Sequence, residues 1–382
     1  MEELLYRSRR GTGCLKWDRL GKKFTRDDLM GLWVADMDFA APACVREALA
    51  EKAEFGVFGY DWVPEGCGRA FLEWEKTWHG YEPSRSWLRY PTSVVAAFHW
   101  LIGLFTSPGD GVLIQPPVYY PFAEAIRENG CRVVENRLIS TGGVYTVDFA
   151  DLERKLAEEN VKVFLLCSPH NPAGRVWRRE ELAEMLRLCR RHGVRVISDE
   201  IHQDFTHGEH RHIPAASLEE PAVVAATLTS PSKTFNLAGL GTAIAILPDE
   251  ALRRAYDTFT RRLQVSGGGS FGFAALEAAY TGGRPWLEQV LRTVEENDAI
   301  LRSALEPKGV TISPLEGTYL AWLDLSARVK EEELPALIEG RCGLAVDYGA
   351  WFGAGGEGHV RLNLATRPEN VREAARRLAD NL

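Results

Sequence analysis

The sequence predicts an α/β fold in which helices cover both faces of a mostly parallel sheet. Apolar strand-like segments alternate with amphipathic helical segments through the middle of the chain, as in proteins built around a parallel sheet. Val161–Ser168 is almost continuously apolar, which is typical of a strand buried on both faces. Towards the C-terminus, longer helical patterns surround two strand-like segments, and this change predicts a smaller α+β domain.

We assign the large domain to residues 45–282 and the small domain to residues 1–44 together with 283–382. The stretch Ser266–Gly272 is rich in glycine and is a candidate break between the two parts. The same composition would also suit a functional loop. Both interpretations of this stretch therefore stay open.

Local patterns predict the elements one by one. An apolar helical segment begins near Val94 and is capped by Thr92 or Ser93. Two amphipathic segments further along read as helices that end at Gly130 and Gly193. Arg284–Glu306 is a long helical pattern near the C-terminus. The predicted strands are Gly111–Gln115, Cys131–Leu138, Val161–Ser168, Val194–Ser198, Ala222–Ser230, Thr318–Ser326 and His359–Thr366.

Composition argues against nucleic acid and membrane as binding partners. The formal net charge of -8 and the isoelectric point near 5.7 argue against a nucleic-acid binder, which needs a basic face. No apolar run is long enough to span a membrane, and the first residues lack the apolar core of a signal peptide. The seven cysteines are odd in number and form no Cys-x-x-Cys pair, which predicts buried thiols and a reducing compartment. We therefore expect a cytoplasmic protein that acts on a small molecule.

Polar or aromatic side chains follow four of the predicted strands. Because the ligands of open α/β sheets bind at the carboxyl ends of the strands, we expect these side chains to meet in one site. They are Tyr119 and Tyr120 after Gly111–Gln115, Asn171 after Val161–Ser168, Asp199 and His202 after Val194–Ser198, and Lys233 after Ala222–Ser230.

Each of these side chains has an ordinary explanation when it is taken alone. Lys233 would be a solvated lysine in a turn, and Asn171 with Pro172 would be a turn of its own. Asp199 would cap a helix, and Tyr119 would pack against its neighbours. Together they are an acid, an amide, an amine and a flat aromatic ring, beside a helix N-terminus that can bind phosphate. This set contains the parts needed to hold pyridoxal 5'-phosphate (PLP), and we predict PLP as the cofactor.

The chain resembles the fold-type I, aspartate-aminotransferase-like PLP enzymes of the class I and II aminotransferase family. More narrowly, it is similar to their cystathionine β-lyase, or cysteine C–S lyase, branch. The resemblance implies a mostly parallel seven-stranded sheet in the large domain and a homodimer with shared active sites. The motifs that carry it span nearly the whole chain in family order: RRGTGCLKWD, WVADMDF, SPHNPAGRVW, SDEIHQDF, SPSKTFNLAGL, ALEAAYTGG, EGTYLAWLDL and GEGHVRLNLAT.

The resemblance also implies a role for individual residues. Lys233 would attach the cofactor covalently and act as a base, and Asp199 would bind its ring nitrogen. Tyr119 would stack on the ring and complete the catalytic set. The substrate carboxylate would be bound by Arg361, the backbone of Ala35 and Asn171. The remaining cofactor contacts would come from Asn171 at the ring oxygen, from His202, from Ser230, Ser232 and the backbone of Val95 and Ala96 at the phosphate, and from Tyr60 of the partner subunit.

Two positions depart from the pattern that the resemblance suggests. Aminotransferases usually carry tyrosine three residues after the aspartate, whereas this chain has His202, as the lyase branch tends to have. Ser93 stands where that branch often has glycine, which would make Ser93 a helix cap and leaves the phosphate contacts open.

The activity that the resemblance implies is PLP-dependent β-elimination. Such an enzyme cleaves the Cβ–S bond of cystathionine or of another cysteine S-conjugate and yields a thiol, pyruvate and ammonia. One alternative is an aminotransferase that acts on an amino acid and a 2-oxo acid. The other is a PLP-fold protein that binds a transcription regulator, for which no feature of the sequence argues.

Two further motifs are interpreted as structural. FGAGGEGH is similar to a dinucleotide-binding glycine loop, but it leads into a strand, so its glycines are expected to shape a turn before Arg361. HGEHRH carries His207, His210 and His212 in a polar segment without nearby cysteine. We expect that segment to be a solvated loop, and we predict no metal site.

Overall fold

The computed structural model describes residues 3–218, 223–265 and 268–382, in which strands and helices alternate through the middle of the chain. The strands are β1 (Met30–Gly31), β2 (Leu88–Arg89), β3 (Gly111–Ile114), β4 (Arg132–Glu135), β5 (Ile139–Thr141), β6 (Val144–Thr146), β7 (Val161–Cys167), β8 (Arg195–Asp199), β9 (Val224–Thr229), β10 (Ile244–Ile246), β11 (Thr311–Ile312), β12 (Leu320–Asp324), β13 (Leu344–Ala345), β14 (Asp347–Tyr348) and β15 (His359–Asn363). The α-helices are α1 (Leu15–Asp18), α2 (Ala43–Phe55), α3 (Glu65–Trp74), α4 (Val94–Phe105), α5 (Pro121–Glu128), α6 (Phe149–Glu158), α7 (Arg179–Arg191), α8 (Pro231–Thr234), α9 (Glu250–Arg262), α10 (Ser270–Gly282), α11 (Arg284–Leu305) and α12 (Pro368–Asn381).

Seven strands of the described residues form the largest sheet, in the order β2-β10-β9-β8-β7-β3-β4. The strands from β9 to β4 pair in parallel, whereas β10 pairs antiparallel with both of its neighbours. The predicted α/β class with a mostly parallel seven-stranded sheet is therefore confirmed. The sequence pattern did not indicate which strand is reversed.

Successive residues of the central strands point into two different apolar layers. In β7, Val163 and Leu165 pack with the buried face of α4, while Phe164 and Leu166 belong to the core on the opposite side. This alternation, with both faces covered, explains why β7 reads as a continuous apolar run. The sheet is thus rigid on both sides, and its strand ends are firm supports for functional side chains.

Helix α4 begins where the sequence predicts. The hydroxyl of Ser93 accepts a 3.0 Å hydrogen bond from the backbone N–H of Ala96, so Ser93 is the N-cap. The helix is strongly apolar and is held against the sheet by Val94, Phe98 and Leu101. Its first turn has N–H groups without carbonyl partners inside the helix, and Val94 and Val95 of this turn line the same cavity as Asp199 and Lys233.

A second sheet has the order β11-β12-β15-β14, and all of its pairs are antiparallel. Asp347 on β14 and Arg361 on β15 are register partners in this sheet. The two sheets lie in the sequence regions assigned to the two domains, but the boundaries at 45 and 282 remain a prediction. Of the candidate break at Ser266–Gly272, residues 266–267 lie outside the described residues, and α10 begins at Ser270.

Some features of the chain are not in the sequence prediction. The hairpin of β5 and β6, the edge strand β2 and the reversed strand β10 belong to this group. The cysteines were predicted correctly in the main: all seven lie within the described residues, form no disulfide and are buried, except that Cys44 is half-buried. Within the described ranges, no helix has the length and apolar character needed to cross a membrane.

Candidate active site

A cavity of about 160 Å³ lies at the carboxyl ends of β3, β7, β8 and β9. The second sheet closes it from the other side through β14 and β15. Its lining includes most of the residues that the sequence predicts to act together: Ala35, Val95, Tyr119, Asn171, Asp199, His202, Lys233 and Arg361. The expectation that four strand ends deliver their side chains to one site is met by these positions.

Lys233 lies on the one-turn helix α8, four residues after the end of β9. Its side-chain nitrogen donates a hydrogen bond of 2.7 Å to the backbone oxygen of Ala35. The hydroxyl of Tyr319 donates to the same oxygen at 2.8 Å. Burial lowers the pKa of Lys233 to about 8, and Arg361 acts in the same direction, while the carboxylates of Asp36 and Asp199 oppose it. The amine thus gives up its proton far more readily than an exposed lysine does.

The turn that carries Lys233 is braced on both sides. Before it, the hydroxyl of Ser230 donates to the backbone oxygen of Thr242 at 2.7 Å and accepts from the N–H of Ser232 at 3.0 Å. After it, the hydroxyl of Thr234 donates to the buried carboxylate of Asp204 at 2.7 Å. Because Ser230, Thr242, Thr234 and Asp204 are buried, the backbone of the lysine turn has little freedom to move.

Asp199 is the last residue of β8 and is only 4% exposed. One of its carboxylate oxygens accepts the N–H of Ile201 at 3.1 Å, and no ion pair of the described residues includes it. Burial raises the pKa of Asp199 to about 7, although Lys233 favours the charged form. A buried carboxylate in this state is ready to accept a hydrogen bond from a cationic N–H group.

Arg361 is held in a fixed orientation by both sheets. One terminal nitrogen donates to the side-chain oxygen of Asn171 at 2.7 Å, and the other donates to Asp347 and to the backbone oxygen of Trp33. Its guanidinium also lies over the ring of Phe352, 4.8 Å from the centre. The remaining nitrogen, Nε, is buried and has no partner within the described structure. A buried donor without a partner marks a place where an anionic ligand would be bound.

Three more predicted residues complete the wall. Because the side-chain oxygen of Asn171 already accepts from Arg361, its amide nitrogen is left as the donor for a ligand oxygen. His202 is buried, its Nδ1 lacks a partner among the described residues, and burial holds its pKa well below the ordinary value, so the ring is neutral. The backbone N–H of Tyr119 donates to the backbone oxygen of Asn171 at 3.0 Å, which places the ring of Tyr119 beside this strand end.

The predicted phosphate contacts are the least defined part of the site. Val95 lines the cavity, whereas Ala96, Ser230 and Ser232 do not. The N–H of Ala96 is used by the cap at Ser93, and the hydroxyl of Ser230 is used by the lysine turn. Their contact with phosphate stays a prediction.

Tyr60 lies outside the cavity of its own chain. It is fully exposed, in a segment where several other large apolar side chains are also exposed. The predicted contact of Tyr60 with the cofactor of a partner subunit therefore also stays a prediction.

Sequence reasoning missed part of the cavity wall. Trp33 and Asp347 contribute to it together with Leu15, Val34, Val94, Cys167 and Ile201, whereas Tyr120, which also lines the cavity, was predicted with Tyr119. The most informative of these is Asp347, an acidic residue within an otherwise apolar segment from Leu344 to Tyr348. A lone acid in such a segment is a usable signal, because a buried carboxylate requires a cationic partner.

The prediction of a solvated loop at HGEHRH was wrong for two of its three histidines. His207 and His212 are buried, and only His210 is exposed. His207 lies 2.6 Å from the backbone oxygen of Thr318, and His212 lies 2.8 Å from the carboxylate of Glu200. Both rings thus have structural hydrogen bonds, and the described residues contain no cluster of three potential metal ligands. The other motif was predicted correctly: FGAGGEGH contains positive-φ glycines and leads into β15.

These side chains fit PLP on three structural observations. The amine of Lys233 has a lowered pKa and points into the cavity, as an amine that reacts with an aldehyde requires. Asp199 is a buried carboxylate that forms no ion pair within the described part of the chain, and a protonated ring nitrogen would be its natural partner. The amide nitrogen of Asn171 is available for the ring oxygen.

Comparison with known proteins agrees with this chemistry. The chain is 39% identical to cystathionine beta-lyase PatB of Bacillus subtilis over 376 residues, and this alignment covers 97% of each of the two chains. The crystal structure of cystalysin from Treponema denticola, which contains PLP, matches with a TM-score of 0.94 and 32% identity, over 100% of this chain and 98% of that chain. The PLP-bound C-S lyase from Staphylococcus hominis matches with a TM-score of 0.92 and 30% identity, over 100% of this chain and 97% of that one.

The fold and the site define a PLP-dependent enzyme with the aspartate-aminotransferase-like architecture. The model of the family described as aminotransferase class I and II matches residues 87–378. The chain belongs to this family, and within it to the branch of the cystathionine β-lyases and PLP-dependent C–S lyases. The predicted family, cofactor and type of reaction, β-elimination by a carbon–sulfur lyase, are thereby confirmed.

Proposed function

We propose that the substrates of this enzyme are cysteine S-conjugates, with cystathionine among them, and that its site residues act as follows. One C–S bond is broken and one water is consumed, so an S-conjugate yields a thiol, pyruvate and ammonium. The observation that carries the assignment of roles is the meeting of three groups in one cavity: a lysine with a pKa of about 8, a buried carboxylate without a cation, and an oriented arginine.

Lys233 is the base in this proposal. β-Elimination begins with removal of the proton on Cα, and an amine can accept that proton only in its neutral form. Since burial lowers the pKa of Lys233 to about 8, a useful share of the amine is neutral near physiological pH. The braced turn keeps the amine at a fixed distance from the substrate. The same group then returns the proton to the departing sulfur or to solvent.

Arg361 orients the substrate. Its guanidinium is planar and is held by Asn171 and Asp347, so a carboxylate can bind it in one defined direction. Fixing the α-carboxylate fixes the direction of the Cα–H bond relative to Lys233. The backbone of Ala35, which already accepts from Lys233, lies on the same side of the cavity.

Asp199 supplies the negative charge that keeps a ring nitrogen protonated. When bound, PLP provides an electron sink for the negative charge that develops at Cα. Asp199 supports this sink because its carboxylate is buried, where an ionic hydrogen bond is strong. His202, held neutral by its low pKa, adds no positive charge that would compete with the ring nitrogen for Asp199.

We further propose a cytoplasmic homodimer in which Tyr60 contacts the phosphate bound by the partner subunit. The support is the apolar surface around Tyr60: Phe55 is 73%, Phe58 64% and Trp62 92% exposed in the single chain. A patch of large apolar side chains of this kind is typical of a surface that is covered in an assembly. The free thiols fit a reducing compartment.

The experiment that tests the function is a product assay with the PLP-loaded protein. It is given cystathionine and several S-substituted cysteines, and pyruvate and thiol are measured with and without a 2-oxo acid. We expect stoichiometric pyruvate and thiol without the oxo acid. Turnover that depends on the oxo acid, with no release of thiol, would instead identify an aminotransferase and overturn the proposal.

A further inference from the structure

Lys23 lies among aromatic rings and forms no ion pair with a carboxylate of the described residues. Its side-chain nitrogen lies 3.7 Å from the centre of the Trp351 ring, 5.1 Å from that of Tyr120 and 5.2 Å from that of Trp33. Lys23 is solvent-exposed along part of its length, so a ligand can reach it. Among the described residues, the lysines that do form ion pairs with carboxylates are Lys16, Lys52, Lys76 and Lys155.

The three rings around Lys23 belong to the walls of two neighbouring cavities. Trp33 lines the active-site cavity, Trp351 lines a neighbouring cavity of about 250 Å³, and Tyr120 lines both. Lys23 itself lines neither cavity, and its nitrogen lies beside the rings that form part of both linings. The rings themselves are fixed by edge contacts, with Phe24 packing against both Trp33 and Trp351.

Charged groups on the surrounding elements act on Lys23 from the active-site side. Burial lowers the pKa of its amine and Arg361 adds to this effect, whereas Asp347 and Glu124 oppose it. Arg361 and Asp347 are the proposed carboxylate clamp and its support, so Lys23 is electrostatically close to the place where the substrate binds. A cation that is partly desolvated and has no paired anion is stabilised when an anionic group of a ligand binds to it.

The position of Lys23 suits a long group on sulfur. If the α-carboxylate binds Arg361 with Cα facing Lys233, such a group would extend out of the first cavity, and the neighbouring cavity offers space for it. Tyr120, which lines both cavities, and Trp33 beside the first one present aromatic surface, which suits the carbon chain next to the sulfur. The ammonium group of Lys23, beside the ring of Trp351, suits an anionic group at the far end of that chain.

We propose that Lys23 and the aromatic cage of Trp33, Tyr120 and Trp351 form a subsite for a carboxylate at the far end of the sulfur leaving group. This inference rests on the proposed function and deepens it, because it names the preferred substrate class as cysteine S-conjugates with a distal carboxylate. The cage orders the ammonium group in advance through cation–π contacts, so little side-chain entropy is lost when the carboxylate binds.

The test compares two substrates of the same shape on the PLP-loaded enzyme. S-(2-carboxyethyl)cysteine carries the distal carboxylate, and S-(2-carbamoylethyl)cysteine replaces it with a neutral amide. We expect kcat/KM for the acid to exceed that for the amide by about tenfold, the effect of roughly one charge-assisted hydrogen bond. The preference should shrink as salt is raised, because the subsite is open to solvent.

Variants separate charge recognition from packing. Lys23→Met should abolish the preference by lowering kcat/KM for the acid far more than kcat/KM for the amide, and Lys23→Arg should keep the preference. Lys22→Met is the matched control: Lys22 is the exposed neighbour on the turn Leu20–Lys22, and its replacement should change neither substrate. Equal kcat/KM for acid and amide in the unaltered enzyme, or an equal loss for both in Lys23→Met, would overturn the subsite.

The neutral conjugate keeps the two proposals apart. Pyruvate from the amide substrate shows that the lyase works on a conjugate without a distal carboxylate. A missing preference for the acid then counts against the subsite alone. No pyruvate from either conjugate, or from S-methylcysteine, would overturn the lyase substrate class and the subsite with it.

Discussion

The side-chain nitrogen of Lys233 lies 2.7 Å from the backbone oxygen of Ala35, although 198 positions separate the two residues in the chain. This hydrogen bond joins the lysine turn after β9 to the segment that follows β1. The same oxygen accepts from Tyr319, so three distant parts of the chain meet at one carbonyl group. The N-terminal segment is thus part of the active site and takes part in positioning the amine.

Lys233 should lose its proton near pH 8 in the cofactor-free protein. Its pKa is lowered from the ordinary lysine value to about 8, so the reactive neutral amine appears as the pH rises through that value. The rate of labelling by a small amine-reactive reagent, measured by mass spectrometry of the Lys233 peptide at several pH values, should give a midpoint near pH 8. In Asp199→Asn the midpoint should fall further, because a nearby anion that favours the ammonium form is removed. A midpoint near 10 would contradict this electrostatic account of the site.

Asp199→Asn should retain PLP but lose most of its turnover. The amide has nearly the same shape as the carboxylate but carries no charge, so the ring nitrogen loses the group that keeps it protonated. The expected loss in kcat is on the order of a hundredfold, about 3 kcal/mol of transition-state stabilisation. Steady-state pyruvate release checks the rate, and visible absorbance checks that cofactor is bound. Asp257→Asn is the control, since Asp257 pairs with Arg89 away from the cavity. Near-normal turnover of the Asp199 variant would exclude this role.

Arg361→Lys should lower kcat/KM for every amino-acid substrate. The substitution keeps the positive charge but removes the planar fork, together with donors to Asn171 and Asp347. We expect a loss of about tenfold to a hundredfold, as for one or two charge-assisted hydrogen bonds. Arg89→Lys is a matched comparison, because Arg89 makes a similar two-point contact with Asp257 outside the cavity. A loss limited to one substrate would move Arg361 away from the α-carboxylate.

Mixing two inactive variants should restore activity if Tyr60 acts in the partner subunit. Lys233→Ala should be inactive, and Tyr60→Ala should be strongly impaired because a phosphate contact is lost. In a hybrid dimer, one site combines the intact Lys233 of one chain with the intact Tyr60 of the other. Pyruvate formation should therefore reappear after subunit exchange. Exchange proven by mass spectrometry without any recovery would refute the shared site.

Strand ends were the most predictable part of the molecule. Tyr119, Asn171, Asp199 and Lys233 line one cavity because each follows a parallel strand whose apolar run is visible in the sequence. A buried parallel strand must be apolar over its length, so its end is easy to place. The class of fold followed from the alternation of these strands with helices, and the cofactor followed from the four positions together with a helix N-terminus that can bind phosphate.

Contacts set by register were not predictable in the same way. Asp347 lies on a strand of two residues, too short to show any periodicity, and it meets Arg361 only because β14 and β15 pair at that register. The buried positions of His207 and His212 depend likewise on distant partners, Thr318 and Glu200. Polar residues near each other in sequence look solvated until the tertiary fold supplies their hydrogen bonds.

The antiparallel return of β10 has a mechanical consequence for the catalytic lysine. Thr229 and Ile244 are register partners, so the two ends of the lysine loop are held at one inter-strand spacing, roughly 4.8 Å. The bond from Ser230 to Thr242 closes the neck a second time. Both ends of the loop are therefore tied to the sheet, and the loop moves with β9 and β10 as one rigid body. The reach of the amine is therefore set by the contour length between residues 230 and 242, and a single inserted or deleted residue there would change that reach without disturbing the sheet.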